Sequence, residues 1–107
     1  PTATVRIRHG DQVVEEAACG DGPIDAVYRA INRATNVPVH LLDYALQAVT
    51  GGADALGDAT VRVKDNGHIH IGRGTSTDVI EASALAYIHA INKIIHSREK
   101  YQSAGEV

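Results

Sequence analysis

Two stretches of this 107-residue chain could hold a small charged molecule: "CGDGPIDAVYRAIN" at 19–32 and "GRGTSTDVIEASALAYIHAIN" at 72–92. Each writes Gly-x-Gly, then a run with helical spacing, then Ala-Ile-Asn. Glycine lets a ligand come close to backbone. A helix start adds unpaired N–H groups and a partial positive charge, which together hold a carboxylate. Neither motif has the third glycine of the dinucleotide fingerprint or the Gly-Lys-Ser/Thr of the nucleotide loop, so nucleotides are disfavoured. A free amino acid suits the pattern better. Its carboxylate would face the amides, its ammonium would find Asp25, Asp43 or Asp78, and an aliphatic tail would find abundant Ile, Leu, Val and Ala. The plainer alternative is that both motifs are only tight strand-to-helix turns, with Asp25 and Asp78 favoured in helix first turns whatever binds there.

Other residue types offer less chemistry. His68 and His70 alternate as strand residues do and resemble a metal pair. The hairpin register derived below sets them beside Lys64 and Arg62, and no third ligand has suitable spacing, so a solvent-facing polar row is expected and no metal. Cys19 stands alone and is expected to be a small buried hydrophobe rather than a nucleophile. No Ser–His or Cys–His spacing marks a catalytic site, so a binding or regulatory module is expected rather than an enzyme, with no cofactor.

Composition narrows the partners. The chain has no Phe, Trp or Met and a formal net charge of −3. Single strands want aromatic platforms and a basic groove, and duplexes want a basic stripe, so nucleic acid is not expected. No apolar run is long enough to span a membrane or to serve as a secretory signal, and a cytoplasmic protein is expected. The length suits one domain with a core that needs no staple.

The elements that must position these residues follow from periodicity. Val5 and Ile7 alternate with Arg6 and Arg8, and a loop at Gly10-Asp11 would pair Ile7 with Val14 and Arg6 with Glu15. Pro23 opens a helix that Asn36 and Pro38 close. Residues 39–50 fit either a helix stripe or one strand face (Leu42, Tyr44, Leu46, Ala48); the need of the next hairpin for sheet partners favours a strand. That hairpin is expected to turn through three residues, Asp65-Asn66-Gly67, which sets Val63 beside Ile69 and Val61 beside Ile71 and keeps one face apolar. Asp78 and Glu81 have capping-box spacing. They open a helix of about five turns with its stripe from Ile80 to Ile95. The stripe fades from Ser97. The order is β-β-α-β-β-β-α, an α+β fold of internally duplicated units with helices packed on antiparallel sheet. Residues 1–96 are expected to form the binding domain and 97–107 a polar C-terminal tail.

"GDGPIDAVYRAIN", "LLDYALQAVTGGADALGDATVRV" and "GRGTSTDVIEASALAYIHAIN" closely resemble the C-terminal regulatory domain of the α-isopropylmalate synthases, from about Val5 to Ile95. The resemblance implies a homodimer that binds leucine near the subunit interface and inhibits a distant catalytic barrel by feedback. It also implies a strand over 39–50. By motif, it places Gly20, Gly22, Ile24, Asp25, Leu41, Tyr44, Ala48, Ala55 and Val79 around the ligand. The barrel and its metal chemistry are not in these residues, so a chain that begins at Pro1 is expected to be an excised or separately expressed piece that binds and dimerises but does not catalyse. A related domain in citramalate synthases leaves isoleucine as an alternative ligand, and a pure dimerisation module is the other rival.

Overall fold

Val5 and Ile7, alternating with Arg6 and Arg8, build the first strand, β1 (Thr2–His9), which pairs antiparallel with β2 (Gln12–Cys19). The structure, a computed structural model, describes residues 1–9, 11–37, 39–49 and 56–105. Ile7 lies opposite Val14 and Arg6 opposite Glu15, as the alternation requires. Ala18 turns inward, so Cys19 after it turns outward. Cys19 is therefore exposed, with Sγ 3.4 Å from Thr2 Oγ1, and is not the buried hydrophobe that its residue type implied.

Helix α1 (Pro23–Thr35) starts on proline and stops at Asn36, whose N–H still donates to the Asn32 carbonyl while its left-handed backbone (φ 52°) turns the chain off the helix. Three strands follow: β3 (His40–Val49), β4 (Leu56–Asp65) and β5 (His68–Ser76). They form a second antiparallel sheet in the order β3-β4-β5, and helix α2 (Val79–Gly105) closes the chain. The order is β-β-α-β-β-β-α, an α+β fold, with residues 40–49 a strand. Helix α2 runs on to Gly105, well beyond the turns that the apolar stripe marks.

The β4–β5 register differs from the one expected. Asn66 (φ 50°) and Gly67 (φ 81°) form a two-residue turn with both centres left-handed, the geometry that matches strand twist best. Val63 therefore pairs with His70, Asp65 with His68 and Val61 with Gly72, while Ile69 and Ile71 turn to the exposed face. Keeping the isoleucines inside would have put large side chains where α2 lies.

Ala82, Ala86 and Ala90 are fully buried one turn apart on α2. A β-carbon on Gly72 would overlap the Ala86 carbonyl, and one on Gly74 would overlap the Ala82 carbonyl. The two glycines thus let the helix settle on the sheet backbone. Around this seam the core gathers Ile31, Val61, Val63, Tyr87, Ile91 and Ile94. The two halves join where the Tyr28 and Tyr87 rings lie 4.4 Å apart and Tyr87 Oη donates to Asn32 Oδ1 at 2.6 Å. No helix among the described residues is long and apolar enough to cross a membrane.

Candidate functional site

The two glycine motifs do different work. Gly72 and Gly74 sit inside β5 under α2, and they belong to packing rather than to a helix start. Gly20 behaves like them, since a β-carbon there would overlap the Ala26 amide as one on Gly74 would crowd the Ala86 amide. The internal repeat is therefore a glycine in a strand or just after one, packed against an alanine on the following helix. Gly22 is different: it is the N-cap of α1, extended (φ −144°, ψ 175°), with open space where a side chain would project.

At that first elbow the Asp25 carboxylate already fills an anion's role. Its Oδ2 accepts the Asp21 N–H at 2.9 Å and lies 3.0 Å from Arg29 Nε. Ile24, beside it, packs against the core. At the second helix start Asp78 Oδ1 accepts the Ile80 N–H at 2.9 Å. The reciprocal half of the capping box is replaced: Ser76 Oγ donates to Glu81 Oε2 at 3.0 Å and accepts the Asp78 N–H at 3.2 Å.

Strand β3 presents Leu41, Tyr44 and Ala48 toward one side, opposite Val63, Val61 and Gly57 of β4. A register shift between Leu41 and Asp43 takes Leu42 off this face and puts Leu41 on it. Helix α2 rests on β5 and β4 rather than on β3, so Tyr44 and Leu46 keep 47% and 39% of their surface exposed. Where β3 ends, β4 begins and α2 starts, an open recess of about 220 Å³ forms. It is lined by Leu46, Gln47 and Ala48 of β3, Leu56 and Gly57 of β4, and Thr77 and Val79 at the start of α2. Gly57 makes room for Val79, whose Cγ2 would lie 3.1 Å from a β-carbon there.

Of the residues singled out in the sequence, the structure brings Ala48 and Val79 together in this recess. It joins Tyr44 to α1 through Tyr28, one turn beyond Ile24. Gly20, Gly22 and Asp25 stand at the β2–α1 junction and do not line the recess. Ala55 lies outside the described residues. Leu46, Gln47, Leu56, Gly57 and Thr77 line the recess without having been singled out as ligand-binding in the sequence; strand alternation from Tyr44 to Ala48 is the signal that points to Leu46. Behind Tyr44 stands the buried Tyr28 ring. Burial pushes the Tyr28 hydroxyl up to about 12, although the nearby Ser83 hydroxyl acts in the other direction. Neither of these two buried hydroxyls has a partner in full hydrogen-bonding geometry. Burial also raises Tyr87 to about 12, against the effect of its bond to Asn32. Among the described residues no three His, Cys, Asp or Glu side chains converge as metal ligands.

A family model described as the LeuA allosteric (dimerisation) domain matches residues 1–95. The chain is 50% identical over 101 residues to a 2-isopropylmalate synthase of Dictyoglomus turgidum, covering 94% of this chain and 20% of that protein. It is 54% identical over 99 residues to the 2-isopropylmalate synthase of Brevibacillus brevis, covering 92% of this chain and 19% of the relative. With the same enzyme of Carboxydothermus hydrogenoformans the identity is 49% over 107 residues, 99% of this chain and 20% of the relative. The chain thus spans about a fifth of the length of these curated relatives. A match over nearly all its described strands and helices settles the kinship: the chain belongs to the LeuA allosteric (dimerisation) domain family.

Proposed function

We propose that this chain is the regulatory domain of a 2-isopropylmalate synthase, which dimerises, binds leucine and transmits feedback inhibition to a catalytic domain carried elsewhere in the enzyme. The observation that carries the ligand is the apolar recess in which Ala48 and Val79 meet, on the strand that also carries the half-exposed Tyr44. A branched aliphatic tail suits walls of Leu46, Leu56 and Val79, and the small Ala48 and Gly57 leave it room. At the β2–α1 elbow, apart from the recess, Asp25 already holds the Asp21 amide, so that elbow suits an ammonium better than a carboxylate. Inhibition then requires that leucine bind one arrangement of the whole enzyme better than another.

A thermal-shift screen of the twenty amino acids tests this reading, because a ligand of the native state raises the melting temperature. Leucine should give the largest rise. A larger rise with isoleucine would favour citramalate synthase regulation. No rise with any branched-chain amino acid would leave a dimerisation module alone.

A further inference from the structure

We propose that the buried hydroxyls of Tyr28 and Ser83 are the joint that couples the recess to the core, closing into a hydrogen bond when the recess is filled. This coupling rests on leucine binding in the recess, as proposed above, and gives that site its link to the two helices.

Among the described residues two buried side-chain oxygens lack a protein partner in full hydrogen-bonding geometry: Tyr28 Oη on α1 and Ser83 Oγ on α2. Their residues are 3% and 0% exposed. Native interiors leave few such groups, because each one is costly. Here the two are neighbours, close enough for the Ser83 hydroxyl to act on the ionisation of Tyr28. A hydroxyl both donates and accepts, so a small shift lets each satisfy the other. The adjacent Tyr87 shows the same chemistry completed: its ring lies 4.4 Å from that of Tyr28, and its hydroxyl donates to Asn32 Oδ1 at 2.6 Å.

Both ends of the pair lead to the recess. Ser83 stands four residues beyond Val79 on α2, one turn along the same side, and Val79 lines the recess. Tyr28 meets the Tyr44 ring edge to face. Tyr44 shares a face of β3 with Leu46 and Ala48, which line the recess opposite Val79. A ligand held between Val79 and these two residues bears on both partners of the pair at once. Leucine then binds best to the arrangement in which the hydroxyls bond, and by linkage that bond strengthens leucine binding.

Titration calorimetry with leucine, beside chemical denaturation, tests the coupling on Ser83→Ala, Tyr28→Phe and the double variant. Each single variant should bind leucine about tenfold more weakly, the worth of the bond that no longer forms. Its unliganded stability should not fall, since an unpaired buried hydroxyl has gone. The double variant should bind no more weakly than either single one, as a shared interaction requires. A purely structural pair would change stability and leave affinity alone. Folded single variants that bind leucine as the wild type does would overturn the coupling, and so would losses that add in the double variant. A wild type that takes up no leucine would instead refute the proposed function, and the coupling with it.

Discussion

Tyr44 on β3 and Tyr28 on α1 meet edge to face, their ring centroids 5.9 Å apart and their planes at 82°. Tyr28 is 3% exposed and Tyr44 47%, so the pair has a structural side and an available side. Tyr44→Ala should cost about 0.5–1.5 kcal/mol of unliganded stability, the worth of an aromatic pair. It should also remove the rise in melting temperature produced by leucine. Tyr28→Ala should cost about 3–5 kcal/mol, as large core truncations do. Chemical denaturation with and without leucine separates the two. A Tyr44→Ala chain still fully stabilised by leucine would take β3 out of the site.

The glycines should separate in the same experiment. Gly74→Ala drives a methyl into the Ala82 carbonyl, so it should destabilise by about 1–3 kcal/mol or more, the usual cost of overpacking. Gly22→Ala meets open space at ordinary extended backbone, and its stability should fall by no more than about 1 kcal/mol. If a ligand touches the first elbow, Gly22→Ala weakens leucine binding without weakening the fold. Equal loss of stability in both variants would mean that the two motifs are not the different structures described above.

Much of the framework was legible because it is local. Alternating Ile7 and Arg6 fixed the first hairpin, and Pro23 and Asn36 bounded α1. Period left 40–49 open because its closely spaced leucines and alanines fit a helix stripe as well as one strand face; the next hairpin's need for sheet partners favoured the strand and the resemblance supported it. The second register departs from the expected one because a count of isoleucines does not show what the inner face must admit. The inner face needed glycine instead, and only the position of α2 reveals that Gly72 must admit the Ala86 backbone. The meeting of Ala48 with Val79, and of Tyr28 with Tyr44, depends on how distant elements dock, which no local pattern encodes.

Alkaline pH should unfold the protein through its buried tyrosines. Tyr28 and Tyr87 have folded pKa values raised to about 12 from 10.0, chiefly by burial. Above the unfolded pKa the unfolded chain loses those protons and the folded one keeps them, so stability falls as pH rises. The contribution is complete below about pH 10 and is lost progressively toward about pH 12. Tyrosinate absorbance followed beside circular dichroism should show late ionisation coinciding with unfolding. Tyr28→Phe, which also removes an unpartnered buried hydroxyl, should flatten the dependence. An unchanged slope in that variant would place the alkaline transition elsewhere.

Ala48 offers the sharpest test of where the ligand lies. Its side chain is exposed and borders the recess, so Ala48→Phe can fill that space without crowding the core. Unliganded stability should stay within about 0.5 kcal/mol. Leucine should no longer raise the melting temperature, while Ala48→Ser, close in size, should keep the response. Because Ala48 also stands on β3, sedimentation must accompany the measurement. Lost binding in an intact dimer assigns the ligand to the recess. Full binding in Ala48→Phe moves the ligand to the β2–α1 elbow, where Asp25 holds the Asp21 amide and Gly22→Ala becomes the deciding variant.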